Sequence, residues 1–203
     1  MLRRHLPLAL AAGTSAGANA AGPGRARVGE VLAVTGDAVA RFSGDAPRDL
    51  KPLVPLLLDD LVSTGPAARL VGRLLGDLEF RLGEHASLRV DALTLHGPAA
   101  GTVLRVFGGP VLLDRSAGMG AAPVSVAFPW ARIGVRGTRF FAGPLDGRYA
   151  VFVARGQVAV EASGTIVLLS EGDGVDVPAA GAPPGAVVRW GQVRIDRALA
   201  LVN

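Results

Sequence analysis

The stretch Leu70-Val71-Gly72-Arg73-Leu74-Leu75-Gly76-Asp77-Leu78-Glu79-Phe80-Arg81-Leu82 carries the reading of the fold. Leu70, Leu74, Leu78, Phe80 and Leu82 share one phase of a period-two pattern, and Arg69, Arg73, Asp77, Glu79 and Arg81 share the other. Successive side chains of a strand point to opposite faces, so the pattern predicts a sheet with one dry face and one wet face. Gly76-Asp77 supplies a turn inside it, which predicts a hairpin.

Downstream, Ala86, Leu88 and Val90 repeat the pattern, and Leu93 and Leu95 extend it. Thr102–Phe107 and Val111–Asp114 read as strands around Gly108-Gly109-Pro110, and Arg115–Pro123 as a Gly- and Ala-rich loop with nothing to anchor in a core. Val124–Trp130, Ile133–Phe140, Tyr149–Ala154, Gln157–Ala162, Thr165–Leu169 and Gly174–Val177 continue the run of short strands. Pro178–Gly185 is a second loop, and Arg194–Val202 reads as a short helix. Upstream, Val31–Phe42 alternates around a turn at Thr35-Gly36-Asp37. Pro47–Pro55 is irregular, Leu56–Ser63 fits either a strand or one helical turn, and Gly65-Pro66 is a turn. Turn signals spaced about 8–12 residues apart predict an all-β single domain of short antiparallel strands, sandwich- or solenoid-like. The expected domain spans residues 29–178, with a loop and tail over 179–203.

The length of 203 residues favours one domain with its own core, and 50% hydrophobic residues argue against disorder. No cysteine is present, which excludes disulfides, zinc–thiolate sites and thiol chemistry. The net charge of +4 comes from arginine, Lys51 being the only lysine. The basic residues form no run and are not interleaved with aromatics, so no nucleic-acid partner is expected.

The amino terminus reads as an export signal over residues 1–20. Arg3, Arg4 and His5 form a basic start, Leu6–Ala12 a short apolar run, and Ala18-Asn19-Ala20 the small-x-small pattern before cleavage. The apolar run is shorter than the roughly 20 residues a membrane span needs. A linker over 21–28 follows, and no span is expected after cleavage. The expected location is the periplasm or otherwise outside the cytoplasm.

Searches for chemistry fail one after another. There is no Gly-x-Ser-x-Gly elbow and no P-loop. His85 and His96 lack metal-ligand spacing and read as turn or surface histidines. Asp59 and Asp60 are adjacent, so in a strand they would point apart; the plainer reading is a turn. Glu171, Asp173 and Asp176 lack the ligand order of a calcium loop and read as a β-turn. Gly118-Met119-Gly120 lacks the third glycine of a dinucleotide site. Arg132, Arg136 and Arg139 fit either an anion site or a structural role, the latter favoured for Arg136, because a buried charge must be paired. No catalytic residue, metal ligand or cofactor is expected, and the binding residues are left unassigned.

Ile133-Gly134-Val135-Arg136-Gly137-Thr138-Arg139-Phe140 resembles the (I)GVRGT-x-F signature of FecR domains. Ala150–Val160 is similar to the family's V-x-V-x-x-G-x-V-x-V, and Leu168–Gly174 to its L-x-x-G-x-G. Upstream, Gly29-Glu30-Val31 through Gly36-Asp37-Ala38 resembles its G-x-V…G-x-V opening, Asp60–Gly65 its D-x-[IV]-x-T-G, and Leu78–Val90 its L-x-L-G-x-x-S-x-L. One departure is Phe128-Pro129-Trp130-Ala131, where the family commonly has Thr-Pro-x-Ala. The resemblance implies an all-β periplasmic module for protein or ligand contact. In it Gly134, Val135, Arg136, Gly137, Thr138, Thr64 and Gly65 are motif residues with a structural role. The best-known FecR proteins are membrane-spanning regulators that relay an iron-siderophore signal to a sigma factor. This sequence shows neither their cytoplasmic domain nor their transmembrane helix, so that signalling role is not expected to carry over.

The expected function is therefore non-enzymatic: a stand-alone module binding an envelope protein or glycan. A structural or assembly protein of the cell envelope is one alternative, and a component of a sigma-regulatory pathway is another. On export, the mature chain is predicted to begin at Ala21. Intact-mass measurement of the exported protein checks this, and a mass retaining residues 1–20 refutes it.

Overall fold

The computed structural model describes residues 25–74, 76–94, 101–116, 124–135 and 137–203. The predicted signal, His96, Gly118-Met119-Gly120 and Arg136 lie outside them.

The described residues form two sheets facing each other as an open, sandwich-like all-β fold, with one small helix. From edge to edge, the first sheet begins with β18 (Val188–Arg189), β17 (Asp173–Val177), β14 (Arg148–Arg155), β13 (Arg139–Leu145) and β10 (Val111–Arg115). It ends with β7 (Leu78–Leu82), β6 (Arg69–Leu74), β1 (Arg27–Thr35) and β4 (Pro55–Leu57). The second sheet begins with β16 (Thr165–Ser170), β15 (Gln157–Ala162), β12 (Arg132–Val135), β11 (Val124–Ala127) and β9 (Gly101–Gly108). It ends with β8 (Ser87–Thr94), β5 (Leu61–Thr64), β2 (Ala38–Arg41) and β3 (Arg48–Asp49). The helix α1 (Gln192–Ala200) closes the chain.

From β6 onward the chain deposits strands in alternate sheets: β6–β7 in the first, β8–β9 in the second, then β10, β11–β12, β13–β14, β15–β16 and β17–β18 in turn. Both sheets therefore grow in the same direction. The ladders are antiparallel except that β9 and β11 run parallel.

Period-two apolar positions meet between the sheets. Leu70, Leu74, Leu78, Phe80, Leu82, Leu113, Phe140 and Val151 of the first sheet join Val62, Leu88, Leu104, Val126, Ile133 and Val160 of the second in one core cluster. The Leu70–Leu82 hairpin forms as read, with β6 paired to β7 in the register Leu70↔Leu82 through Leu74↔Leu78. Gly72 lies opposite Phe80, and a Cβ on Gly72 would sit 2.4 Å from the Phe80 ring. The glycine is thus the seat of a fully buried aromatic ring.

The outer face of the first sheet is also dry where β10, β13 and β14 pass. Leu112, Phe141, Leu145, Ala150 and Phe152 point outward and are covered by Trp190, Ala198 and Val202, with Ile195, Leu199 and Leu201 packed against them. The continuous apolar run of β14 has this cause, since a strand buried on both faces has no polar phase. Trp190 stacks on Phe152 at 5.1 Å between ring centroids, and a Cβ on Gly174 would collide with its indole at 2.1 Å.

Three local expectations are corrected. Leu56–Ser63 is neither one strand nor a helical turn: it is split by a turn at Asp59 (φ 65°) into β4 and β5, which join opposite sheets. Arg115 is not a loop residue but the last residue of β10, buried, with its guanidinium 3.1 Å from Asp77. The helix starts at Gln192 rather than Arg194 and ends at Ala200, because Gly191 is extended and its carbonyl accepts from Arg194 and Ile195.

Gly72→Ala is expected to destabilise the fold by about 1–3 kcal/mol, since the Phe80 ring must move within a packed core. Gly134→Ala, where a Cβ meets nothing within 4 Å, should stay within about 0.5 kcal/mol of the parent. Urea denaturation of the two variants makes the comparison; equal midpoints would refute the seating of Phe80 on Gly72.

Candidate functional site

The motif residues are placed first, because they separate scaffold from surface. Thr64 ends β5 and is buried; its hydroxyl donates to the Gly83 carbonyl at 2.6 Å and accepts from the Ala86 N–H at 2.9 Å. Gly65 continues the knot, donating to the Asp37 carbonyl and accepting from the His85 N–H. His85 itself is an exposed turn residue with φ 52°. Val135 and Thr138 are buried, and the Thr138 carbonyl accepts from the Arg115 N–H at 2.9 Å. Gly137 turns the chain from β12 towards β13 with φ 63°. Gly134 lies exposed on the outer face of the second sheet, between Ser125 and Ala159.

Arg132 and Arg139 do not gather. Arg132 lies exposed on the second sheet, whereas Arg139 begins β13 of the first sheet and pairs with Asp114 at 3.6 Å, beside Arg155 at 2.8 Å. Arg132 and Arg139 are on different sheets because the chain changes sheet between them, while Arg136, for which the structural role was favoured, lies outside the described residues. The acidic group is also dispersed. Asp173 accepts from the Ser170 N–H in a turn, and Asp176 pairs with Arg194.

One buried charge escaped the sequence reading. Asp60 is 2% exposed and receives Arg25 on one oxygen at 2.6 Å, Arg48 on the other at 2.5 Å, and the Leu57 N–H at 2.9 Å. Asp60, Val62 and Thr64 are the inward phase of one strand and its approach, so the same motif ties both ends of β5. The only advance signal was that Asp60 keeps the phase of Val62.

The surface most suited to contact lies at the β11–β12 turn, where the sequence departs from the family pattern. Phe128 N–H donates to the Ala131 carbonyl at 2.8 Å and closes the turn. Trp130 is buried and stacks on Tyr149 of the opposite sheet at 5.0 Å and 7° between ring planes. Phe128 leans on Trp130 at 4.9 Å and remains partly exposed. The turn is thus pinned from below by an aromatic stack that bridges the sheets.

A cleft opens on each side of Phe128 and Pro129. One, of about 340 Å³, is lined by Phe128, Trp130, Arg132, Glu161 and Ser163, with Gly181 at its rim. Ser163 Oγ donates to the Gly181 carbonyl, which holds the loop after β17 against this cleft. Arg132 and Glu161 face each other across the β12–β15 ladder, yet neither forms an ion pair or side-chain hydrogen bond with another described residue. Both charged heads are left available to a ligand. The second cleft, of about 280 Å³, is lined by Arg105, Phe107, Phe128 and Pro129. Phe107 is 44% exposed, with the Arg89 guanidinium 5.3 Å from its ring centroid. Asp91 holds both Arg89 and Arg105, and its hydrogen bond raises the Arg89 pKa above the ordinary arginine value.

These walls offer aromatic faces, fixed cations and a free carboxylate, which is the equipment of recognition. Among the described residues no histidine lines either cleft, and no group of three His, Asp or Glu side chains could hold a metal ion. A wider cleft of about 520 Å³ beside Asp37, Asp49 and Lys51 has no aromatic wall. No helix among the described residues is long and apolar enough to cross a membrane.

No protein-family model matches the chain, and neither does any curated protein. Two crystal structures of a candidate anti-sigma factor from Parabacteroides distasonis share the fold, with TM-scores of 0.56 and 0.57 at 16% sequence identity. The likeness covers 68% of this chain and 64% and 63% of the Parabacteroides chains, less than two thirds of their length.

Asp60→Ala is expected to cost about 3 kcal/mol, because it leaves Arg25, Arg48 and the Leu57 N–H without their shared acceptor. Asp49→Ala, an exposed neighbour of the same sheet, should change stability by less than about 0.5 kcal/mol. Thermal denaturation of both variants decides; similar losses in the two would remove Asp60 from its structural role.

Proposed function

We propose that this chain is an exported, non-enzymatic module of the bacterial cell envelope that binds an envelope protein or a glycan at the clefts around the Phe128-Pro129-Trp130 turn. The observation that carries the reading is the meeting of a partly exposed aromatic ring, on a turn anchored by stacked rings, with the heads of Arg132 and Glu161 on the neighbouring strands, which pair with no other described residue. Anchoring matters because a pre-formed site loses little conformational entropy on binding. A protein side chain or a sugar ring fits here on the same terms: an apolar face against Phe128, polar groups to Arg132 and Glu161. The FecR-like order of motifs and the predicted signal peptide support a place outside the cytoplasm. No cofactor is required.

A second reading is a component of a sigma-regulatory system. The fold shared with the candidate anti-sigma factor of Parabacteroides favours it, together with the motif order. In that reading the clefts receive another protein of the same regulatory pathway.

The mature chain and its Phe128→Ser/Arg132→Glu variant, immobilised and exposed to envelope extract and to cell-wall glycan fragments, separate these cases. The first reading expects a partner or glycan retained by the parent at least tenfold better than by the variant. Recovery of a receptor or sigma-factor regulator favours the second. If the folded parent retains no reproducible protein and no glycan, the proposed function is wrong.

A further inference from the structure

The four outermost strands differ in how they are guarded. β3 and β18 have two residues each, and β4 has three and begins with Pro55. Short edge strands and proline are the usual protections against edge-to-edge pairing. β16 has neither. Its six residues, Thr165-Ile166-Val167-Leu168-Leu169-Ser170, carry no charge and no proline, and Ile166 and Leu168 are 63% and 75% exposed. It pairs with β15 alone among the described strands.

The turn before it settles which backbone groups face outward. Ser163 and Gly164 both have positive φ, 46° and 74°, the signature of a two-residue hairpin turn. Such a turn makes its flanking residues, Ala162 and Thr165, exchange hydrogen bonds. Thr165, Val167 and Leu169 then direct N–H and C=O to β15, while Ile166, Leu168 and Ser170 direct theirs to the open edge. The Ser170 N–H is already taken by the Asp173 carboxylate at 3.0 Å. No backbone hydrogen bond from another described segment reaches Ile166 or Leu168.

We infer that β16 is a self-association edge, on which a second copy of this chain adds its own β16 antiparallel about a twofold axis through Val167. An antiparallel strand pairs with its symmetry copy by the same residues on both sides, as a twofold interface requires. With Val167 opposite Val167 of the second copy, Ile166 faces Leu168 of the other chain twice over. This register uses the free backbone groups of both residues and places their exposed side chains together on the outer face. The alternative, centred on Leu168, calls on Ser170, whose N–H is already bonded to Asp173. Because β16 is uncharged, like-charge repulsion does not oppose the approach of identical edges. A contact of one strand per copy falls below the roughly 1,000 Å² of a stable interface, so the association is reversible.

The absence of cysteine makes a direct test possible. The mature chain is expected to double its apparent mass by light scattering as its concentration rises from roughly 10 µM to 1 mM. Ile166→Lys, which adds a charge to the edge, should shift that midpoint upward at least tenfold with an unchanged circular dichroism spectrum. Val167→Cys should trap a covalent dimer under mild oxidation, and Thr165→Cys should not, because Thr165 lies opposite Leu169 in this register. A monomer at 1 mM, or trapping at Thr165 in preference to Val167, overturns the inference. So does a monomer that instead accepts a strand from another envelope protein. Glu161 and Ser163 of the first cleft adjoin this edge, Glu161 standing opposite Ile166, but the association is read by mass with no ligand added and so stands or falls apart from the proposed binding function.

Discussion

Every buried backbone N–H and C=O must find a partner, and this chain meets that demand by a strict alternation between two sheets. A hairpin laid down in one sheet presents an unsatisfied outer edge. The chain then crosses to the other sheet, and the edge it left waits for a later strand. β7 is completed by β10, β10 by β13, and β9 by β11. Neither sheet is stable without its successor strands, and neither inner face is dry without the other sheet. The apolar phase of each strand, the glycine that seats Phe80 and the carboxylate that ties Arg25 to Arg48 all serve this one arrangement.

The parts legible in sequence are those with local causes. Alternation over Leu70–Leu82 and the Gly76-Asp77 turn specify a hairpin because neighbours along the chain are also neighbours in space. The all-β class follows from the recurrence of such patterns; between a sandwich and a solenoid they left the choice open, and the pairing of distant strands decides for the sandwich. What escaped depends on distant partners. Period two tells which face a residue takes but not which sheet a strand joins, so the split of Leu56–Ser63 was hidden. Asp60 looked like a turn carboxylate because its cations stand 35 and 12 residues away. Arg132 and Arg139 looked adjacent because the change of sheet between them leaves no mark in composition.

The motif residues on which the resemblance to FecR domains rests are, for the greater part, found at strand ends, in turns and in the core. Thr64, Gly65, Val135, Gly137 and Thr138 close turns, fill the core or tie strand ends. The clefts lie where the chain departs from that pattern, at Phe128-Pro129-Trp130-Ala131. This division is expected of a scaffold that can carry different surfaces: framework positions answer to packing, and a turn at the sheet's end is free to differ. The departure is one of packing too, since Trp130 reaches across to Tyr149.

The cover over β10, β13 and β14 also divides the molecule's stability. Leu112, Phe141 and Phe152 face outward from the first sheet, and Trp190 with the residues of α1 keeps water off them. Local opening of that cover would bare an apolar strip while both sheets stay paired, so the outer face can loosen at a smaller free-energy cost than the core between the sheets.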